Sequence, residues 1–259
     1  MDSPNPENPP PPVVEAPAKR HVWKFWATAL WGLFAFAALF AGQALVLVYE
    51  VLRSGDWNNL QGTVRAAASD GMILSLSVIT GLPAVVLALW LAISFTSSSF
   101  AEYLALRGTS WKNFLIGAVG MGAILGIWEV LSRVFGHESD SGFMVEIMKS
   151  ALTDRTLPIM IFAFCVAAPV SEEFFARGFL YQGWSQTWLR PVGAIILSSL
   201  VWTRLHLQYD VFSLGQVFSL GLWFGYLRYR SGSTWLTIVL HGMNNLAAVI
   251  QTIWLAGQG

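Results

Sequence analysis

The sequence has few charged residues and almost no cysteine. Only 12% of its 259 residues are charged, whereas soluble domains carry about a quarter. The 15 basic and 15 acidic residues balance, so no excess of positive charge indicates nucleic acid as a partner. The single cysteine, Cys165, excludes an internal disulfide framework and any zinc site built from cysteines.

The first 21 residues also lack the pattern that a cleavable signal peptide would show. Residues 1–21 are rich in proline and acidic residues before Lys19 and Arg20, and they contain neither the short apolar core nor the cleavage site of a signal peptide. Such a composition cannot bury enough apolar surface to fold. We therefore expect residues 1–21 to form a disordered, proline-rich cytoplasmic tail.

Apolar residues dominate what remains, with 55% of the chain hydrophobic and a mean hydropathy of +0.55. A membrane-spanning helix needs about 20 apolar residues in succession, and seven runs approach or exceed that length. They are Val22–Tyr49, Gly71–Phe95, Phe114–Phe135, Leu157–Tyr181, Pro191–His206, Val211–Tyr229 and Thr234–Leu255. The sequence predicts an all-α, polytopic transmembrane helix bundle with about seven spanning helices, of which the fifth is the shortest.

The basic residues that flank these runs predict the orientation of the protein. The side that carries the N-terminus has eight of them and the opposite side has five. The eight are Lys19, Arg20, Lys24, Arg107, Lys112, Arg190, Arg228 and Arg230, and the five are Arg53, Arg65, Arg133, Lys149 and Arg155. Because cytoplasmic loops carry the excess of lysine and arginine, we expect a cytoplasmic N-terminus, an outer C-terminus and a location in the plasma or inner membrane.

Two connections and two glycine pairs lead to further structural predictions. The segment from Phe100 to Trp111 is amphipathic and suits a helix lying on the cytoplasmic interface. Met144, Ile147, Met148 and Ala151 recur at helical spacing in the connection before Asp154 and predict a similar interfacial helix on the outer side. We expect both segments to be packing elements. The pairs Gly122 with Gly126 and Gly221 with Gly225 predict close helix packing.

Two adjacent acids and a base interrupt the fourth run. Glu173 and Arg177 are four residues apart with the acid first, the favourable order for a mutual ion pair. Glu172 points about 100° away on the helical wheel, so it is left for another role. Pro169 removes a backbone hydrogen bond and exposes a carbonyl in the same region. Ionisable groups at membrane depth are costly and therefore indicate a functional site.

The last three runs contain polar residues at a similar depth. His241 and Asn245 are four residues apart, as are Trp202 and His206, and Asn244 precedes Asn245. With a rise of 1.5 Å per residue, Glu172, His241 and His206 lie about 15, 12 and 20 Å from the cytoplasmic ends of their helices. Convergence of two histidines, an asparagine and a carboxylate favours hydrolysis, in which the carboxylate takes a proton from water and donors stabilise an oxyanion.

Three short motifs resemble those of the CAAX-protease and bacteriocin-processing (CPBP, or ABI) family. The run from Ala168 to Gly178 resembles its first motif, EExxxR. Trp202-x-x-x-His206 resembles the second, in which Phe usually replaces Trp, and His241-x-x-x-Asn245 resembles the third. The resemblance extends from about Leu157 to Ala248 and divides the chain into membrane helices without motifs (22–156) and a CPBP-like catalytic core (157–255).

The resemblance implies an intramembrane endopeptidase like the type II CAAX prenyl proteases and lysostaphin-resistance proteins. It makes Glu172 the base that activates water, His206 a partner of that water, and His241 with Asn245 the oxyanion donors. Glu173 and Arg177 become structural supports, together with Trp202 and Asn244. The implied partners are the lipid bilayer and membrane-associated protein or peptide substrates, with no cofactor.

Three alternatives stay open at this point. Glu172, His206 and His241 could ligate zinc with a water as fourth ligand, although no HExxH motif is present and Asn245 would then lack a role. A proton-coupled transporter could use the same cluster as a proton relay, although the sequence shows no inverted repeat. A non-catalytic immunity or scaffold protein of the same family is the third alternative.

Overall fold

A computed structural model describes residues 22–137 and 142–257, and the tail predicted over 1–21 lies outside them. These residues form ten helices and no strand, which confirms the all-α prediction. The helices are α1 (Phe25–Ser54), α2 (Leu60–Ala68), α3 (Gly71–Ser94), α4 (Phe100–Tyr103), α5 (Trp111–Phe135), α6 (Gly142–Thr153), α7 (Leu157–Ser185), α8 (Arg190–Thr203), α9 (Val211–Ser231) and α10 (Thr234–Ala256).

Short polar residues fix the starts of the helices. Asp70, Ser110 and Ser233 each accept a hydrogen bond from the backbone N–H three residues on, and thereby satisfy a donor that the helix leaves free at its first turn. Gly136 and Gly232 follow the ends of α5 and α9 with φ of 61° and 66°, a left-handed conformation that glycine adopts without steric cost.

Five helices are long and apolar enough to cross a membrane by themselves, namely α1, α3, α5, α7 and α10. The polytopic character predicted from the sequence is thereby confirmed. The fifth predicted run forms the 14-residue helix α8, about 21 Å long, and the 3₁₀ turn Arg204–His206 extends it. Crossing of the membrane by α8 and α9 stays a prediction.

Helix α9 nevertheless lies antiparallel to α5 along most of its length. The Trp223 indole N–H donates to the Gly117 carbonyl near the start of α5 at 3.0 Å. Beyond the other end of α5, His137 Nε2 lies 3.4 Å from Asp210 Oδ1, just before α9. Within residues 22–137 and 142–257, the chain therefore runs seven times between the two ends of the bundle.

The two connections and the glycine pairs have mixed outcomes. Ile147, Met148 and Ala151 are fully buried on one face of α6, which confirms the predicted helix and its packing. Its position at the outer interface stays a prediction. The helix expected between Phe100 and Trp111 is reduced to the single turn α4, so its predicted extent is wrong. Leu104 is buried against α7, as expected of a packing element. An amphipathic pattern does not reveal whether its apolar face meets lipid or protein.

Only one glycine pair mediates close packing. A Cβ on Gly221 would lie 3.1 Å from Ser199, and one on Gly225 would lie 2.8 Å from Ile195, so α9 approaches α8 closely there. A Cβ on Gly122 or Gly126 would meet no described atom within 4 Å. The packing predicted for that pair is therefore wrong.

Helix α7 contains two wide π-helical turns, Ala163–Ala167 and Phe174–Leu180. In the first turn, the Ala168 N–H bonds to the Ala163 carbonyl, five residues back, and so leaves the Phe164 carbonyl without its usual partner. Pro169 has no N–H to replace it. Such turns are frequent at functional sites, and this one exposes a backbone acceptor toward α10.

Candidate active site

Glu172 lies where α7, α8 and α10 meet, and one of its oxygens faces three ring nitrogens. The Trp202 indole N–H donates to Glu172 Oε2 at 2.7 Å. The Nε2 atoms of His206 and His241 lie 3.9 and 4.0 Å from the same oxygen. The side chains of Glu172 and His206 are each 17% exposed, so the cluster is enclosed but accessible.

Both histidine rings are oriented through their Nδ1 atoms. His206 Nδ1 lies 3.2 Å from the Trp202 carbonyl oxygen, and His241 Nδ1 lies 3.1 Å from Glu173 Oε1. A carbonyl and a carboxylate are acceptors, so each Nδ1 is assigned the hydrogen, and each neutral ring then turns an Nε2 lone pair toward Glu172. Separations near 4 Å are too long for direct hydrogen bonds but suit a bridging water.

Glu173 and Arg177 form the ion pair that their spacing predicts. Arg177 donates to Glu173 Oε1 at 3.0 Å, and both side chains are completely buried. The guanidinium also donates to the Gly221 carbonyl on α9 at 3.0 Å and lies 4.4 Å from the centroid of the Trp202 ring. The pair therefore links α7 to α8, α9 and, through His241, to α10.

Asn245 contacts α7 at a different level from Glu172. Its amide donates to the Phe164 carbonyl at 2.8 Å, the acceptor that the first π turn leaves free. The neighbouring Asn244 donates to Asn245 Oδ1 at 3.3 Å. Phe164 precedes Glu172 by eight residues, or about 12 Å of helix, so the contacts of Asn245 do not include the carboxylate cluster.

Two aromatic residues of the site were not predicted from the sequence. Tyr209 stacks on His206 with ring centroids 5.9 Å apart, and Phe224 lies 5.7 Å from His241. Tyr209 follows His206 by three residues, but a turn rather than a helix joins them, so helical spacing gave no signal. Phe224 belongs to α9, which carries none of the three motifs.

Comparison with protein families identifies the segment that holds this cluster. The family model described as type II CAAX prenyl endopeptidase Rce1-like matches residues 154–247. This segment is similar to the Rce1-like family. No curated protein and no solved structure matches the chain.

The Rce1-like segment contains all three motifs and supports a CAAX-protease type of intramembrane endopeptidase. It begins just before α7 and ends within α10. The family resemblance inferred from the motifs is confirmed, and the protein is an integral membrane protein.

The Rce1-like site has donors of the kind that zinc prefers, but they are widely spaced. Zinc ligands lie 2.0–2.2 Å from the metal, so tetrahedral ligand atoms are about 3.4 Å apart. The separations from Glu172 Oε2 to His206 and His241 are 3.9 and 4.0 Å. Among the described residues, no group of three or more His, Cys, Asp or Glu side chains is arranged to hold a metal ion.

Proposed function

We propose that this protein hydrolyses peptide bonds of membrane-associated proteins or peptides, with Glu172 activating the attacking water. The observation that carries the proposal is the contrast between two adjacent carboxylates. Glu173 is buried and paired with Arg177, whereas Glu172 faces two imidazole nitrogens at water-bridging distance. An unpaired carboxylate beside room for water is what a general base requires.

In the proposed reaction Glu172 takes a proton from a water held between its carboxylate and His206. The water oxygen attacks the carbonyl carbon of the scissile peptide bond, and the carbonyl oxygen takes up negative charge. When the C–N bond breaks, Glu172 returns the proton to the leaving nitrogen. Each proton removed from water is thus accounted for, and no redox step is involved.

His241 and Asn245 are proposed to stabilise the oxyanion. Glu173 Oε1 lies 3.1 Å from His241 Nδ1 and so orients the ring with Nε2 toward the reacting atoms; a hydrogen bond from Nε2 to the oxyanion requires the form of the ring that carries hydrogen on both nitrogens. The amide of Asn245 has two N–H bonds, of which one is donated to the Phe164 carbonyl. Asn245 lies one helical turn, about 6 Å, beyond His241, so its role requires that the substrate carbonyl lie on the Phe164 side of the carboxylate cluster, within reach of the second N–H. Preorganised donors of this kind typically contribute several kcal/mol to the transition state.

A comparison of proteolytic products tests the proposal. Membranes containing the wild type or Glu172→Gln are analysed for new peptide termini, with Glu129→Gln as a control that changes an exposed glutamate remote from the site. We expect new termini with the wild type and the control, and a loss of at least about 10²-fold with Glu172→Gln. If none of the three yields termini beyond those of membranes without the protein, a non-catalytic scaffold or immunity protein is supported. Undiminished products with Glu172→Gln would overturn the role of Glu172.

The zinc alternative is tested in the same assay. It is favoured by the two Nε2 lone pairs that face one carboxylate oxygen, with Glu173 on the far side of the His241 ring, as outer carboxylates often are around zinc ligands. The metal-free reaction should survive exhaustive chelation. Activity that disappears on chelation and returns with added zinc would replace the water-activating role of Glu172 by a ligand role.

A further inference from the structure

A cavity lies away from the carboxylate cluster, on the surface of the bundle between α1, α7 and α8. It has a volume of about 440 Å³, and eleven of its twelve lining residues are apolar. We call it the α1–α8 groove. Glu172, Trp202, His206 and His241 do not line it, so the groove and the cluster are separate sites.

Aromatic residues mark one end of the groove. Phe25, at the start of α1, stacks on Trp184 with centroids 6.0 Å apart and lies 5.5 Å from Trp188. Trp26 lines the same end and is 75% exposed. Clustered tryptophans are typical of the boundary between membrane and water, so the groove starts near that boundary and runs along α1 toward the other leaflet for about 16 Å, from Phe25 to Phe36.

Arg204 is the twelfth lining residue and the only charged one. It follows the last residue of α8 and is exposed, about 20 Å along the helix from Arg190 near the aromatic end. Among the described residues, no hydrogen bond or ion pair is made by its guanidinium, whereas Arg53 and Arg133 in the spanning helices α1 and α5 each pair with a glutamate. An exposed guanidinium at the end of an apolar groove is a binding partner for an anionic group.

We propose that the α1–α8 groove binds an anionic phospholipid, with one acyl chain along its apolar residues and the phosphate on Arg204. A guanidinium binds phosphate oxygens in a bidentate manner, and the lipid matches both the apolar length and the charged end of the groove. Because Arg204 lies opposite the aromatic end, the lipid comes from the leaflet on that side, the outer one in the predicted orientation.

The separation from Glu172 favours a resident lipid over a substrate. A substrate must present its scissile bond to the carboxylate cluster, yet no residue of that cluster faces the groove. A phospholipid needs no such access. The proposal is independent of peptidase activity and is tested without measuring it.

Lipid selectivity provides the test. Purified wild type, Arg204→Gln and Arg190→Gln are each mixed in detergent with equal amounts of phosphatidylglycerol and phosphatidylcholine, and bound lipid is quantified by native mass spectrometry. Arg190 is the matched control, since it is an exposed arginine of α8 that does not line the groove. We expect the wild type and Arg190→Gln to prefer phosphatidylglycerol by roughly tenfold, and Arg204→Gln to lose that preference.

Filling the groove gives a second, independent measurement. Ala29 lines it, so Ala29→Phe should reduce the binding of both lipids. Lack of preference in the wild type, an equal loss in Arg190→Gln, or undiminished binding to a folded Ala29→Phe protein would each overturn the proposal. Displacement of the bound phosphatidylglycerol by an equimolar farnesylated peptide would likewise overturn it and make the groove a substrate site. If Ala29→Phe does not fold, the arginine comparison decides alone.

Discussion

Glu172 and Glu173 are identical, adjacent side chains with different surroundings. Glu173 is completely buried and contacts Arg177 and His241, whereas Glu172 is partly exposed and bonded to an indole N–H. The four-residue spacing of Glu173 and Arg177 predicted this division, because only one of two neighbouring residues on a helix can face a partner one turn away. The indole hydrogen bond was not predicted, since hydropathy treats Trp202 as an apolar wall.

The Trp202 hydrogen bond leads to a prediction for Trp202→Phe. Phenylalanine, the usual residue in the second motif of the family, retains the apolar wall but cannot donate to Glu172. A hydrogen bond to a charged group contributes about 1.5–3 kcal/mol, so we expect kcat to fall roughly tenfold or more with KM little changed. The measurement is steady-state kinetics of the purified variant. An unchanged kcat would show that the indole N–H does not position the carboxylate.

The adjacent asparagines permit a matched comparison. Asn245→Ala strands the Phe164 carbonyl, which should reduce the free energy of unfolding by about 1–3 kcal/mol. It should also reduce kcat by about 10²–10³ if Asn245 is an oxyanion donor. Asn244→Ala removes only the 3.3 Å contact with Asn245 and should have a small effect on both.

Thermal melts and kinetics of the two asparagine variants separate structure from catalysis. A lower melting temperature with normal kcat in Asn245→Ala would leave Asn245 as a purely structural tie between α10 and α7. Sequence reasoning anticipated that Pro169 exposes a carbonyl. It could not identify Phe164 as the exposed acceptor. In a regular α-helix, Pro169 would leave the carbonyl of Cys165, four residues before it, without a donor. The π turn shifts the unbonded carbonyl by one residue, to Phe164.

Among the elements, α7 organises the site because its charged residues reach three other helices. The Glu173–Arg177 pair contacts His241 of α10 and the Gly221 carbonyl of α9, and the Arg177 guanidinium lies over Trp202 of α8. Its burial makes the pair costly to break but not necessarily strong, since desolvation offsets much of the attraction between the charges.

A double-mutant cycle measures that balance. Glu173→Ala and Arg177→Ala should each cost about 3–5 kcal/mol, because each leaves an unpaired buried charge. The double variant should cost clearly less than the sum, since it removes both charges together. Thermal melts in detergent provide the comparison. Strictly additive losses would contradict an energetic coupling between the two side chains.

The elements were predictable to different degrees. Apolar runs placed all seven long helices within about five residues of their observed bounds, because hydropathy is a local signal. The 3₁₀ turn that presents His206 and the burial of Leu104 depend on contacts between distant segments. Such contacts are not encoded in the periodicity of any single segment, so the sequence could not reveal them.

At the scale of the whole molecule, depth was the most informative quantity. Glu172 and His241 were placed about 15 and 12 Å from one end of the bundle on rise per residue alone, and their side chains lie 4.0 Å apart. Antiparallel packing explains this success. Arg228 donates hydrogen bonds to Gln182 near the end of α7 and to Thr234 at the start of α10. The ends from which the two depths were counted therefore lie at the same height in the bundle.

The path of the chain predicts which connections lie on the same side of the membrane. If α8 and α9 both cross, Gln208 between them lies on the side of Asn58, opposite Thr109. A Cys165→Ala protein removes the only cysteine and allows single cysteines at these three exposed positions. In intact cells, a membrane-impermeant maleimide should label Asn58→Cys and Gln208→Cys, and should label Thr109→Cys only after permeabilisation.

Each outcome of the labelling experiment has a distinct structural meaning. The opposite pattern at all three positions would reverse the predicted orientation but keep seven crossings. Labelling of Gln208→Cys together with Thr109→Cys would leave five crossings and make α8 and α9 a re-entrant pair. We expect seven, because α9 follows α5 from Gly117 to beyond Phe135, and a helix packed along the length of a spanning helix traverses the same thickness of membrane.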